Sequence, residues 1–511
     1  MKKTETKNKN VTIADKASAD PHKVQNEKSK KCLVSTTQVI ETETTTNYTP
    51  KEFDTFIPWV CSQWASAATV VILRKAQEEY VNVCEKRTVK LKKNKPKDEV
   101  SVGDIHESSV SLNEFPENSE VPITVYYDVS NQLVEISIIE CVTRVPRKVI
   151  RAFSLSVPYQ TSLKRFTFCK SHLTAELIYE INKLLLISNI CELILDDSNV
   201  PEGNYFILLE QLSHLKYLSL NRCKINDEVC KNIFKNIHFD APAAKTLQIL
   251  DLGSNNITDD GATFIGSALR SNRCLLHINL SGNGITDSGF RRILDSLVEF
   301  QLNNEEKNAA AGRKVSYLQS KMAVYARCLD DLKSGNVHDS TESISGRKFG
   351  PKHHRLKKTT SIKSEPIRTF EDEAETMTRD IVGEFHDPFS PQNVVLRNEL
   401  TYCKGNFVLC SLNIAYNHIE YPSVRKLSEV LEYQDGIFHT HYKDTGLLRI
   451  ILEGNRIPET CAELDAIGWY LKKNVNFRKA SDGKRRKGTT FHKKNLSHVV
   501  GLRQHSSSQL I

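Results

Sequence analysis

Leu247–Leu269 reads LQILDLGSNNITDDGATFIGSAL and Leu275–Leu297 reads LLHINLSGNGITDSGFRRILDSL, one pattern displaced by 28 residues. Both fit L-x-x-[LI]-x-L-x-x-N-x-I-x-D-x-G. A fixed period of this length marks a solenoid, in which each coil buries its apolar side against its neighbours. The pattern has mechanical reasons. Leu250 and Leu252 alternate to the inside of a short strand. Asn255 bonds backbone groups of the adjacent coil where the chain turns, and Asn283 repeats that role one coil later. Ile257 and Ile285 close the core behind the turn, Asp259 and Asp287 suit a helix N-terminus, and Phe264, Ile265, Ala268 and Leu269 recur at helical spacing. Each repeat is expected to be one strand and one helix.

Weaker copies extend upstream as LKYLSLNRCKI from Leu215, ICELILDDSNV from Ile190, LKRFTFCKSHL from Leu163 and LVEISIIECV from Leu133, spaced 30, 27, 25 and 32 residues from Leu133 to Leu247. Cys223, Ser198, Ser171 and Cys141 occupy the asparagine position there, all small side chains able to hydrogen-bond. Downstream, LCSLNIAYNHI from Leu409 and LLRIILEGNRI from Leu447 restore it as Asn417 and Asn455. Leu275 and Leu409 stand 134 residues apart, so on the order of 100 residues beyond one coil must loop out.

Composition supports a looped-out insert, since Ser334 to Thr378 is rich in Ser, Lys, Thr, His and Glu and cannot bury enough apolar surface to offset its ordering entropy. Before it, Val315, Leu318, Met322, Val324, Tyr325 and Leu329 predict a protruding helix or helical pair. At the other end, Phe53, Phe56, Ile57, Trp59, Val60 and Trp64 predict a helix that caps the open end of the array or, in the competing reading, docks a partner. The chain is thus divided into a disordered tail over 1–47, a capping and linking region over 48–120, about six repeats over 121–300, and a helical extension over 301–332. A disordered insert over 333–385, two further repeats with a C-terminal cap over 386–475, and a basic disordered tail over 476–511 complete it. The predicted fold class is α/β, a leucine-rich-repeat solenoid with a curved parallel sheet inside and helices outside.

Met1 to Asn10 has basic residues with no apolar region behind them, so no secretory signal is expected. Ala175 to Leu195, the most apolar region, carries Glu176, Glu180, Lys183 and Glu192, so no membrane span is predicted. The 13 cysteines are an odd number without a C-x-x-C pair, against a disulfide framework or zinc ribbon. A cytoplasmic chain with reduced cysteines is the expectation. The net charge of +8 comes largely from short runs (Lys90 to Lys97, Arg347 to Lys358, Lys484 to Lys487) rather than from one face, which argues against nucleic-acid binding.

The sequence carries none of the common catalytic motifs. No G-x-x-x-x-G-K-[ST], G-x-S-x-G, H-E-x-x-H or kinase set occurs. Cys169 with His172, His353 with His354, and His439 with His441 fall short of a metal-ligand set. No catalytic residue, metal or cofactor is therefore expected. A GTPase-activating role would rest on a positioned arginine, for which Arg222 is the candidate.

What remains is the concave strand surface. Thr167, Ile194, Ser219, Asp251 and Asn279 stand between inward leucines on successive coils, flanked by Lys216, Tyr217, Gln248, His277 and Ser281. A mixed polar row with an aromatic is the expected protein-binding face. Asn255, Asn283, Asn417 and Asn455 form the expected ladder behind it. In the C-terminal tail, Arg478 to Ser481 (RKAS) resembles a basophilic kinase site with Ser481 as acceptor, and phosphate there would weaken the binding of an acidic surface by KRRK.

The two best repeats, with Gly261-Ala262 and Gly289-Phe290 opening their helices, resemble the ribonuclease-inhibitor class of leucine-rich repeats. The order of segments is similar to the family of leucine-rich repeat-containing protein 71. It has a Cys-x-x-Trp (Cys61 to Trp64), an early strand region (Pro122 to Glu140), the array, a helix (Leu294 to Glu305), a low-complexity insert and two late repeats introduced by Asp387, Pro388 and Phe389. The insert and the longer, more basic C-terminal tail depart from that family, and no functional residue is carried over from it. The resemblance implies association with motile cilia and sperm flagella as a structural adaptor in the axoneme. The expected function is a non-enzymatic scaffold with protein partners; the alternative is an enzyme regulator, a GTPase activator or a substrate receptor for ubiquitin transfer.

Overall fold

A three-residue strand flanked by turns satisfies its backbone only by pairing with the coils on either side, so the repeats stack into one sheet. The computed structural model describes residues 48–76, 119–334, 369–438 and 446–485. Its strands are β1 (Ala68–Ala76), β2 (Ser119–Tyr127), β3 (Leu133–Ile139), β4 (Arg165–Cys169), β5 (Glu192–Ile194), β6 (Tyr217–Ser219), β7 (Ile249–Asp251), β8 (His277–Asn279), β9 (Phe300–Gln301), β10 (Val394–Arg397), β11 (Leu400–Cys403), β12 (Ser411–Asn413) and β13 (Arg449–Ile451). Its α-helices are α1 (Phe53–Gln63), α2 (Arg147–Ser156), α3 (Ala175–Leu186), α4 (Asp227–Lys235), α5 (Asp259–Ser271), α6 (Asp287–Asp295), α7 (Asn304–Lys333), α8 (Phe370–Val382), α9 (Tyr421–Phe438) and α10 (Ala462–Arg485). Ten strands form one sheet in the order β1-β2-β3-β4-β5-β6-β7-β8-β12-β13. All its pairings are parallel except the β2–β3 hairpin. The fold is an α/β leucine-rich-repeat solenoid.

From β3 to β12 the strand residues in register with Leu250 point into a continuous apolar core: Ile136, Phe166, Leu193, Leu218, Leu250, Ile278 and Leu412 are all buried. The array crosses the insert without a break, since β12 pairs with β8 in register, Leu412 opposite Ile278.

The aspartates that open the repeat helices act on the next coil. Asp227 Oδ1 accepts the Thr258 and Gly261 amides at 2.8 and 2.9 Å, and Asp259 Oδ1 accepts the Thr286 amide at 2.8 Å. Asp287 Oδ1 accepts the Glu420 amide at 3.0 Å and the Ser423 hydroxyl. The glycines follow from this: a Cβ on Gly261 would lie 2.5 Å from Asp227 Oδ1, and one on Gly289 would lie 2.4 Å from Asp259 Oδ1.

Four features differ from the sequence expectation. The sheet begins one strand before the expected early strand region from Pro122, because the apolar run in β1 pairs along its whole length with β2. The coil from Ile190 has a 3-10 segment, Asn204–Leu209, in place of an α-helix. Gly203, the residue before that segment, takes a left-handed φ of 62°, a conformation glycine adopts without cost. The segment after α6 starts as a strand: β9 joins β11 and β10 in a small antiparallel sheet over Phe300, Leu302, Phe389 and Cys403.

The fourth difference lies inside the segment expected to be disordered, where residues 370–382 form α8. Its N-cap Thr369 exchanges hydrogen bonds with Asp372, and small buried residues, Ala374 and Thr378, let it pack closely on α7. A packing surface of small residues leaves little trace in a count of large apolar ones. The 1–47 tail lies outside the described residues, as do 335–368 of the insert and 486–511 of the basic tail. Helix α10 runs through the first part of that tail to Arg485.

At the N-terminal end, α1 turns Phe53, Phe56, Ile57, Val60 and Cys61 into the core, with the Phe53 and Phe153 rings 5.4 Å apart. Burying such residues contributes roughly 1.5–3 kcal/mol for each large side chain.

Candidate protein-binding face

Behind the face runs the asparagine ladder. Asn255 Oδ1 accepts the Cys223 and Ile225 amides at 3.0 and 3.1 Å, while its Nδ2 donates to the Leu220 and Leu252 carbonyls, both at 2.9 Å. Asn283 Oδ1 accepts from Ile257 and its Nδ2 donates to Leu252 and Leu280. Asn417 carries the same bonds across the insert to Ile285 and Leu280, and Asn455 joins Ile419 to Ile414 and Leu452. Each rung pairs donors and acceptors of two coils; those of Asn255, Asn283 and Asn417 are buried, where leaving one group unpaired costs about 1–3 kcal/mol. Upstream, Ser198 Oγ donates to Phe168 O at 3.2 Å and Cys223 Sγ to Leu195 O at 3.2 Å, while Ser171 Oγ accepts the Cys141 amide at 3.0 Å. The Cys141 thiol instead bonds its own loop at Thr143.

The register places two columns of side chains on the strand face. The first is Glu135, Arg165, Glu192, Tyr217, Ile249, His277, Ser411 and Arg449; the second is Ser137, Thr167, Ile194, Ser219, Asp251, Asn279, Asn413 and Ile451. A further row just past the strands includes Asp196, Asn221 and Ser281.

These side chains are tied laterally, coil to coil. In the N-terminal part, Arg165 reaches Glu192 at 2.5 Å and Glu135 at 3.3 Å, and Thr167 Oγ1 donates to Glu135 at 3.1 Å. Burial raises the Glu135 carboxyl above its ordinary value, with Arg165 and Thr167 opposing the shift. In the middle coils, Asp196 Oδ1 accepts from Ser219 Oγ at 2.6 Å and from the Asn221 amide at 3.0 Å, and Asp251 Oδ1 accepts from Asn279 Nδ2 at 2.6 Å. Ser281 N–H donates to Asn279 Oδ1 at 3.1 Å. Burial raises Asp251, with nearby Asp196 adding to the shift. Burial, followed by the charge of Asp251, pushes Tyr217 up to about 12. The middle of the face is therefore acidic and aromatic, with its side chains preset by neighbours.

Seven of the ten face residues read from the sequence, Thr167, Ile194, Tyr217, Ser219, Asp251, His277 and Asn279, stand in the two columns, and Ser281 stands in the row beyond them. Lys216 and Gln248 do not. They precede β6 and β7 by one residue, at the parity of inward Leu218 and Leu250, and so line the entry edge of the sheet. Glu135, Arg165, Glu192, Asp196 and Asn221 were missed. The signal for the first three was present, since each lies two residues after the leading Leu or Ile of its repeat, as Tyr217 and His277 do.

Arg222 has a left-handed φ of 54° and turns its guanidinium onto Asp197, Nη2 to Oδ2 at 2.6 Å. His172 is exposed, and no metal-holding group of His, Cys, Asp or Glu exists among the described residues. His353, His354, His439 and His441 lie outside them. The backbone of Ser481 lies in α10; its side chain is outside the described residues. Among the described residues no helix is long and apolar enough to cross a membrane.

Stacked strand–turn–helix coils joined by a polar ladder define a leucine-rich-repeat protein. Comparison with known proteins agrees: the family described as Leucine Rich repeat matches residues 211–233, 243–266 and 271–293. Ribonuclease inhibitor of Sus scrofa is similar, 31% identical over 144 residues. The shared stretch spans 28% of this chain and 27% of the inhibitor.

Proposed function

We propose that this chain is a non-enzymatic adaptor that binds a protein partner along the strand face. The observation that carries the reading is the lateral tying of that face. Asp196, Ser219, Asn221, Asp251 and Asn279 are held by one another rather than by a partner, so little side-chain entropy is lost on docking. Tyr217 offers a large half-buried ring at its centre, the kind of anchor that dominates interface energetics. The acidic middle favours a partner that presents Lys or Arg.

The similarity in segment order to the leucine-rich repeat-containing protein 71 family supports placing this adaptor in the axoneme of motile cilia or flagella. The test uses tagged full-length protein and a Tyr217→Ala, Asp251→Lys double variant in ciliated cells, extracted with detergent and then high salt, with mass spectrometry of what co-purifies. The expected result is wild-type retention with axonemal proteins and release of the double variant. A wild-type protein that is wholly extracted by detergent, bound to a small GTPase or a ligase, would replace this reading with that of an enzyme regulator.

A further inference from the structure

Helix α7 carries a second apolar seam that the strand-face reading does not use. Val315, Leu318, Met322, Tyr325, Leu329 and Leu332 follow one another at alternating three- and four-residue steps, the heptad spacing of a helix that packs lengthwise against another. Helix α8 lies along the neighbouring strip of α7, with Tyr317 Oη donating to Gly383 O at 2.9 Å and Cys328, Leu332 and Ala374 buried between the two helices. Its cover reaches Tyr325, Leu329 and Leu332. It does not reach the other half, where Val315 is 53%, Leu318 46% and Met322 72% exposed. The same seam is thus partnered at one end and open at the other.

The sequence around the open half selects its occupant. Lys307, Lys314 and Lys321 recur at the heptad position beside the seam on one side, and Gln319 and Ala326 stand on the other. A second copy of α7 finds no opposite charge in either orientation. Parallel pairing sets lysines against Gln319 and Ala326, and antiparallel pairing sets lysines against lysines. Residues 335–368, which join α7 to α8, carry more Lys and Arg than Asp and Glu, the wrong sign for this flank. From the continuity of the seam with the α7–α8 interface and the charge beside it, we infer that Val315, Leu318 and Met322 dock an acidic amphipathic helix of another protein.

Arg313 makes this a fixed platform. Its Nε meets Asp387 at 2.5 Å and its Nη1 meets Asp240 at 2.9 Å, while Arg270 holds Glu306 at 2.6 Å, so the root of α7 is pinned to the repeat body. A guest helix meets a surface already oriented.

The experiment titrates the full-length protein into two labelled synthetic helices and follows fluorescence anisotropy. Both have Leu at every a and d position; one has Glu at e and g, the other Lys. The Glu helix is expected to bind at least tenfold more tightly than the Lys helix, and Leu318→Glu with Met322→Glu to abolish its binding. Lys307→Glu with Lys314→Glu is expected to reverse the preference. All these changes fall outside the core, so circular dichroism and melting should match wild type. Equal binding of both helices overturns the inference, as does absence of binding to either. So does a wild-type dimer in light scattering that Leu318→Glu dissolves, because the occupant is then a second copy. Asp251→Lys leaves the Glu helix bound, which separates failure here from failure of the strand-face reading.

Discussion

Asn417 Oδ1 accepts the backbone amide of Ile285 at 3.1 Å, although the two stand 132 residues apart in sequence. Its Nδ2 returns a bond to Leu280 O at 2.9 Å. One side chain therefore joins the last coil before the insert to the first coil after it. Asn417→Ala is expected to destabilise the fold by about 2–3 kcal/mol, since both backbone groups are left buried without that partner. Urea denaturation measures the loss. Limited proteolysis should then cleave after α9 before it cleaves within β4 to β8; unchanged stability would show that the β8–β12 pairing holds the joint alone.

Arg313→Ala should undock the helical pair without unfolding the array. The Asp387 carboxylate it leaves behind is 2% exposed, and removing one partner of so buried a pair costs about 3 kcal/mol. Hydrogen exchange is expected to quicken in 304–334 and 370–382 and to stay slow in β4 to β8. Uniform quickening would mean that the pair is part of the folding core.

Two glycines should respond in opposite directions. Gly289→Ala forces a methyl against Asp259, 2.4 Å from its Oδ1 and 2.8 Å from its Cα, and is expected to cost about 1–3 kcal/mol. Gly312, in the middle of α7, has nothing within 4 Å of an added Cβ. Gly312→Ala should stabilise by about 0.5–1 kcal/mol through helix propensity. Thermal melts of the two variants check both signs.

Asp251 gives a pH signature. Its carboxyl is raised by burial, so its favourable contribution is complete below the unfolded value of about 3.9 and is lost as pH rises through the higher folded value. Asp251→Asn removes that dependence. The urea midpoint of the variant minus that of wild type should grow as pH rises from about 4 toward neutrality; a difference that shrinks would place the ionised form in a stabilising network.

The repeating part of the fold was legible because one period served every coil. Where the period was strict, the strand, turn and helix followed from Leu247 and Leu275 alone. It was less legible where tertiary pairing replaced pattern. The residues of β1 read equally well as part of a cap, and β9 is a two-residue piece whose partner, β11, lies about a hundred residues away, beyond the insert. The columns of the strand face could be drawn from the repeats, but Glu135, Arg165 and Glu192 were passed over because weak repeats draw attention to their apolar positions. The aspartate ladder was half visible: Asp259 and Asp287 mark helix starts in sequence, yet their carboxylates serve the following coil.

The place where the insert leaves the array has a mechanical consequence. Between β7 and β8 the covalent path is 28 residues, from Leu247 to Leu275, but between the coils joined by β8 and β12 it is 134, from Leu275 to Leu409. A pull along the stack that parted this joint and drew out the 112-residue path from Leu297 to Leu409 would release up to about 400 Å of extended chain, more than any other joint in the array holds in reserve. The seam between Ile278 and Leu412 is thus the point at which the molecule can lengthen most, once its strand bonds, the Asn417 and Asp287 bonds beside them and the helical pair of the insert have given way, while the coils on either side stay folded.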